Sequence, residues 1–371
     1  MRQDKFKEIK GVKICIVDYD LSLYGGTGTV VASLAKELKK YHSVYLYSIT
    51  APVAEYYDKE GIVCYNLDVE RKSLLQIRKE YGGKILNYLN NNDIDIVLLI
   101  GVSSAIIAQP FFKRTKCRFI YCDHGALANQ LNDKKATVIR IMMSLFSDKI
   151  VVLTERTYND YRRILKTPKK KLKVICNPIP QPALESASQC DLGSRKIISA
   201  GRFGREKGYD MLVSVAKNVL TKNKDWEWHI YGDGETFEEI RQEIINNGLE
   251  NQLILKGKTD KLHELYKEYT ILVLPSYREG LPMVLLEAQV NNIPIVSFDV
   301  VTGPAEIVED NVNGFLVPMY DIDDMAEKIE ILMNDDEKRK DFSSHAMDNI
   351  DRFRLQNVIK DWNELFDELL K

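Results

Sequence analysis

The 371 residues are 45% apolar and 29% charged, ordinary for a globular chain, and at about 150 residues per domain the length predicts two domains with sizeable cores. A net charge of −2 hides an asymmetry: residues 1–180 carry 30 Lys and Arg against 18 Asp and Glu, whereas residues 181–371 carry 22 against 36. No apolar run approaches 18 residues, Met1 to Lys10 is polar, and the six cysteines form neither a C-x-x-C pair nor zinc spacing; these features exclude a membrane-spanning or zinc-finger protein and lead us to expect a cytoplasmic chain with buried free thiols.

In chain order, Val12–Asp18 reads as an apolar strand, Gly25-Gly26-Thr27-Gly28 as a glycine loop and Thr29–Lys40 as an amphipathic helix. Gly25 and Gly26 offer backbone N–H groups without a blocking Cβ, which suits close approach to phosphate. The spacing is not G-x-G-x-x-G, since Val31 holds the third position, and no acid ends the strand at Tyr47-Ser48-Ile49; both points weigh against a dinucleotide. Further strands are predicted at Ser43–Ile49, Gly61–Leu67, Ile94–Gly101, Arg118–Cys122 and Lys149–Leu153. His124 follows one of them within Asp123-His124-Gly125, at a strand end where parallel sheets bind ligands.

Basic clusters account for much of the positive excess: Lys113-Arg114-x-Lys116-x-Arg118, Arg162-Arg163 and Lys166-x-x-Lys169-Lys170-Lys171-x-Lys173. Near an anionic leaflet each basic residue contributes about 1 kcal/mol. Lys134–Phe146 joins basic residues to a bulky apolar face, and two readings of it stay open: a core helix, or a contact with an anionic membrane surface. Nucleic acid is not an expected partner, because no aromatic-rich RNA motif or zinc finger is visible.

Asn177-Pro178-Ile179-Pro180-Gln181-Pro182 stops regular structure, and the chain up to Gly193 reads as a linker. A second set of strands follows at Lys196–Ala200, Trp226–Tyr231, Gln252–Leu255, Ile271–Leu274, Pro294–Phe298 and Gly314–Val317, with helices between. Alternating strands and helices predict an α/β fold of two doubly wound domains, at residues 1–180 and 192–352. Apolar residues at Val358, Ile359, Trp362, Leu365, Phe366, Leu369 and Leu370 then mark an amphipathic last helix.

Two loops of the second set carry the chemistry. Lys196–Ala200 runs into Gly201-Arg202-Phe203-Gly204-Arg205-Glu206-Lys207-Gly208, which places Arg202 and Lys207 at a strand carboxyl end. Ile271–Pro275 leads to Glu279-Gly280-Leu281-Pro282 and a helix in which Pro282 suits the first position and Glu287 lies roughly 8 to 12 Å from Glu279. An anion at that helix N-terminus meets unpaired N–H groups and the positive end of the dipole, with one carboxylate for the sugar on either side. A glycosyl nucleoside diphosphate has that layout. The turns at Gly257-Lys258 and Tyr231-Gly232-Asp233-Gly234 are expected to line the base and ribose pocket.

Glutamates eight residues apart around Gly-Leu-Pro resemble the signature of the family 4 retaining glycosyltransferases, specifically over residues 195–318 and more loosely over 11–179. The resemblance implies the GT-B fold, two Rossmann-like domains facing across a cleft, with the last helix, 353–371, crossing back onto the first. Arg202 and Lys207 would hold the diphosphate in place of a metal, Glu279 would orient the hexose hydroxyls, Glu287 the ribose hydroxyls, and His124 the transferred sugar. Gly25, Gly26, Gly257, Lys258, Gly280, Leu281 and Pro282 complete the expected donor contacts. No cofactor beyond a UDP-sugar donor is implied and no metal, Asp18-Tyr19-Asp20 reading as a strand end. The acceptor would be a glycan or a polyprenyl-linked glycan. Thr302-Gly303-Pro304 resembles bacterial members that build lipid-linked or surface polysaccharides, and Thr27-Gly28-Thr29 departs from the family pattern. Two other readings stand beside it: a glycoside hydrolase using Glu279 and Glu287, and a nonenzymatic partner subunit of a transferase.

Overall fold

The computed structural model describes residues 11–21, 26–50, 61–69, 73–108 and 114–371, in two units: Met1–Pro178 with Leu355–Lys371, and Ile179–Arg354. In the first unit β1 (Lys13–Asp18), β2 (Ser43–Ser48), β3 (Val63–Asn66), β4 (Ile96–Ile100), β5 (Arg118–Asp123), β6 (Lys149–Val152) and β7 (Leu172–Val174) form a parallel sheet in the order β3-β2-β1-β4-β5-β6-β7. Ile16 of β1 lies opposite Leu46 of β2 on one side and Leu98 of β4 on the other. Every residue of β4, Ile-Val-Leu-Leu-Ile, is buried, because helices cover both faces of the sheet. The period of two sorts the strands between two cores. Ile14 and Ile16 pack with Val31 and Leu34 of helix Gly26–Leu38 and with Val358, Trp362 and Phe366 of helix Leu355–Leu370. Cys15 and Val17 face Ile77 and Ile85 of helix Leu74–Asn91 and Ile139 and Met143 of helix Lys134–Phe146.

The second unit repeats the plan with β8 (Lys196–Ala200), β9 (Glu227–Tyr231), β10 (Leu253–Gly257), β11 (Ile271–Leu274), β12 (Ile295–Phe298) and β13 (Gly314–Val317), all parallel in the order β10-β9-β8-β11-β12-β13. Leu212, Val215 and Val219 of helix Tyr209–Leu220 and Met325, Ile329 and Leu332 of helix Ile322–Asn334 share its core with Trp228 and Val296. Strand order reverses between β1 and β4 in one sheet and between β8 and β11 in the other. At such a switch the loops leave in opposite directions and open a crevice at the strand carboxyl ends.

Three local expectations are corrected. Helix Gly26–Leu38 starts earlier than expected, so Gly26, Thr27 and Gly28 are helical rather than a loop, and Gly25 lies outside the described residues. Helix Gln181–Glu185 occupies part of the expected linker, with Pro182 in its first turn, where a missing N–H breaks no bond. The short strand β7 sits among lysines that conceal its apolar residues from a periodicity test. All six cysteines are free thiols; Cys64 and Cys176 are only half-buried, the other four buried.

Candidate active site

The loops after β8 and β11 flank the switch point of the second sheet, and a glycine sets how closely they meet. Gly208 has φ +66°, and a Cβ there would fall 2.1 Å from the Pro275 carbonyl oxygen, so no other residue fits without moving the chain. With the loops in contact, the Tyr277 N–H donates to the Glu206 carbonyl at 2.8 Å. Lys207 Nζ donates to Glu279 Oε1 at 2.7 Å, and Ser276 Oγ donates to the same oxygen at 2.7 Å. Among the described residues Glu279 Oε2 receives no hydrogen bond, so this buried carboxylate keeps one oxygen for a ligand hydroxyl. Arg202 is exposed and its guanidinium donates to Glu206 Oε1 at 2.5 Å. Both candidate cations therefore stand next to a glutamate.

A second clamp holds the backbone of Glu279. Thr302 Oγ1 donates to its carbonyl at 2.6 Å, and Gly303, at φ +103°, lies so close that a Cβ would come within 2.8 Å of Pro282 Cδ and 2.9 Å of the Gly280 carbonyl. Pro282 stands at the N-cap of helix Met283–Val290, one place before the expected first position, with an extended ψ of 104°. No side chain caps that helix start. Leu281 is buried beside it. Glu287, inside the helix and partly buried, accepts the Tyr266 hydroxyl at 2.8 Å; burial pushes its carboxyl up to about 7, against the opposing pull of that hydrogen bond.

Gly257 and Lys258 stand at the end of β10, beside the ends of β8 and β9. The Gly232 N–H donates to the Gly257 carbonyl at 2.9 Å and the Gly201 N–H to the Tyr231 carbonyl at 3.0 Å. Lys258 follows, exposed. In the first unit His124 lies half-buried at the end of β5, where burial lowers its pKa to about 4 against the raising effect of the Asp123 charge, so the imidazole is neutral near pH 7. It lines a small cavity with Val30, Val31, Asn177 and Trp362. Asp18 ends β1; burial raises its carboxyl to about 7, while the Tyr19 N–H it accepts at 2.6 Å pulls the other way.

Four residues around these sites escaped sequence reasoning. Ser276 and Thr302 lay in view, the one three places before Glu279 and the other in the Thr-Gly-Pro turn, but only folding turns their hydroxyls onto Glu279. Glu206 and Tyr266 gave no signal at all, since a surface-type glutamate and a tyrosine 21 residues from its carboxylate look like any others.

Two doubly wound parallel sheets in this arrangement constitute the GT-B architecture. The chain superposes on Anabaena HepE, crystallised with UDP and glucose, at a TM-score of 0.82 and 18% identity, covering 96% of this chain and 99% of that one. For the lipopolysaccharide outer core galactosyltransferase WaaB the TM-score is 0.76 at 22% identity, over 96% and 100% of the two chains. Residues 24–181 match the profile "Glycosyltransferase Family 4" and residues 181–348 the profile "Glycosyl transferases group 1". The chain belongs to the family 4 glycosyltransferases. It is 27% identical to the amylovoran biosynthesis glycosyltransferase AmsD of Erwinia amylovora over 96% of this chain and 99% of that protein. It is 34% identical to the poly(ribitol-phosphate) alpha-N-acetylglucosaminyltransferase of Staphylococcus aureus over 43% of this chain, and 33% identical to an exopolysaccharide phosphotransferase of Streptomyces coelicolor over 60%. These matches span only 33% and 24% of those two proteins.

Proposed function

We propose that the protein is a retaining, metal-independent glycosyltransferase that moves a hexosyl or N-acetylhexosaminyl group from a UDP-sugar to a glycan or lipid-linked glycan, in the assembly of a bacterial surface polysaccharide. The observation that carries this reading is the Lys207–Glu279 contact, which ties a cation and a hydroxyl-orienting carboxylate together at the switch point of the second sheet. The breaking bond runs from the anomeric carbon to the β-phosphate oxygen, which takes the electron pair. Lys207 and Arg202 stabilise that growing charge more than the ground state, which lowers the barrier. The departing phosphate accepts the proton of the acceptor hydroxyl while that oxygen bonds to the same face of the sugar. Glu279 orients the hexose and Glu287 the ribose, and His124 positions the transferred sugar. The neighbours support the donor class and the acceptor class: HepE was crystallised with UDP and glucose, and a Campylobacter jejuni relative, 24% identical over 93% of this chain, is named as an N-acetylgalactosaminyltransferase acting on an undecaprenol-linked acceptor.

Two measurements test the proposal together. In a melting-temperature screen of nucleoside diphosphates and their sugars, UDP and at least one UDP-sugar are expected to stabilise the fold, by about 2.7 kcal/mol at a hundredfold excess over Kd. The product of the selected donor is expected to keep the donor's anomeric configuration by proton NMR and to form at an undiminished rate in excess EDTA. Sugar release from a glycan without any nucleotide would establish the hydrolase instead, and binding without turnover would favour the partner subunit.

The same reading places the protein at the cytoplasmic face of a membrane, and helix Lys134–Phe146 supports it. The helix has one face packed in the core and a second apolar face left exposed. Ala136, Ile139 and Met143 are buried in the core, while Val138, Ile141 and Leu145 recur at helical spacing on the outside, Leu145 being 65% exposed, with Phe146 beside it. Lys134 and Lys135 open the helix, and Lys171 Nζ donates to the Ser144 and Leu145 carbonyls at 3.0 and 2.9 Å, bringing the turn Lys169–Lys171 to its other end. An apolar ridge between two basic clusters suits an anionic leaflet. Among the described residues no helix is long and apolar enough to cross a membrane. The protein is expected to float with anionic but not neutral vesicles, and Ile141→Glu with Leu145→Glu to abolish flotation; equal recovery of the double variant would exclude this face.

A further inference from the structure

We infer that the buried Asp123–Arg140 ion pair, steadied by Tyr161 and Gln130, positions His124 for the donor sugar. The inference rests on the role proposed above for His124 and extends it to residues that touch no substrate.

Asp123 and Arg140 are each 1% exposed. A pair so deeply buried is a poor source of stability, because removing two charges from water offsets most of their attraction. Its geometry suits another purpose. Asp123 Oδ1 accepts the Gly125 N–H at 3.1 Å and Arg140 Nη2 at 3.0 Å, while Oδ2 accepts Arg140 Nε at 2.6 Å and the Tyr161 hydroxyl at 2.7 Å. Arg140 Nη2 also donates to Gln130 Oε1 at 2.5 Å. The end of β5, helix Lys134–Phe146 and helix Glu155–Arg163 are thereby fixed to one carboxylate, and the turn Ala128–Gln130 is tied to it through Arg140.

His124 lies between the two residues that this network ties together. The bond from the Gly125 N–H to the Asp123 carboxylate closes a turn around it, and the guanidinium fills the space of a side chain at Gly125, where a Cβ would fall 2.8 Å from Arg140 Nη2. Among the described residues the His124 imidazole takes no hydrogen bond, so its direction is set by packing and by the backbone of this turn. The elements that hold the turn come from residues 17 and 38 positions away, which makes the histidine's placement a property of the whole sheet end rather than of its loop.

Tyr161→Phe deletes one of the four bonds to Asp123 and keeps the ring in the core. With UDP-glucose or UDP-N-acetylglucosamine, whichever the wild type turns over, kcat is expected to fall about tenfold with the donor KM changed by less than about twofold, and in a His124→Ala background the same substitution should change kcat by less than about 1.5-fold. In proteins labelled with carbon-13 in the histidine rings, Tyr161→Phe should shift the His124 resonance, assigned with His124→Gln, and leave those of His42, His229, His263 and His345 in place. An equal fold-loss in both backgrounds, or an unmoved His124 resonance, would overturn the positioning role while leaving the transferase reading intact. Wild-type turnover of His124→Ala would instead remove the proposed role of His124 itself, and the positioning inference with it.

Discussion

Lys207→Ala is expected to lower kcat about a thousandfold while lowering Tm by only a few degrees. Removing one preorganised donor from a developing oxyanion costs about 10²- to 10³-fold in rate, and here the same substitution also releases Glu279, whose Oε1 would keep only the Ser276 hydroxyl. The stability cost is smaller for a physical reason. Lys207 retains 23% side-chain exposure, so water replaces part of what the ammonium supplied, and a loss of about 1 to 2 kcal/mol corresponds to roughly 2 to 8 °C in a unit of this size. Single-turnover rates with the selected UDP-sugar, set beside a calorimetric scan, separate the two effects. Unchanged turnover would take Lys207 out of the site, and a variant too unstable to purify would make the ion pair a folding element first.

Glu287→Gln is expected to weaken donor binding about ten- to a hundredfold and to remove a pH dependence that the wild type shows. A carboxylate accepts both ribose hydroxyls only when ionised, and burial holds Glu287 at about 7. Donor affinity of the wild type should therefore rise as pH increases through about 7, and the glutamine variant should bind weakly at every pH. Stability runs the other way. The folded carboxyl titrates above the ordinary glutamate value, so between about 4.5 and 7 the unfolded chain gives up a proton that the folded chain keeps, and the folded state loses stability across that window. Above pH 7 the full cost, on the order of 1 to 3 kcal/mol, is present. Glu287→Gln should thus melt higher than the wild type at pH 8 while binding UDP worse, with the Tyr266 hydroxyl still able to donate to the amide oxygen. Titration calorimetry with UDP from pH 6 to pH 8.5 checks the first half. A wild-type affinity that does not vary with pH would sink the ribose role.

The α/β alternation was legible because a parallel strand covered on both faces must be apolar at nearly every position. Ile96–Ile100 and Ile271–Leu274 therefore stand out without any partner being known. β7 escaped because an edge strand of three residues between lysines carries too little apolar sequence to register. The loops with chemistry were legible for a different reason. Gly201 to Gly208 and Glu279 to Pro282 are contiguous, so their charges, their glycines and the helix start are a matter of local order.

The sequence by itself determined the composition of each strand, the positions of Arg202, Lys207 and Glu279 in loops at strand ends and of Glu287 inside the following helix, and a stretch at Lys134–Phe146 that joins basic residues to a bulky apolar face. Only the tertiary structure decided which charges meet: Lys207 with Glu279 across 72 residues, Arg140 with Asp123 across 17, Tyr161 with the same aspartate across 38. It also decided which face of Lys134–Phe146 is left in water. The division has one cause. Backbone propensity depends on neighbours in sequence, whereas burial depends on which elements pack together and a hydrogen bond on atoms within about 3 Å of each other, a distance set by strand order and by glycines that let two loops touch.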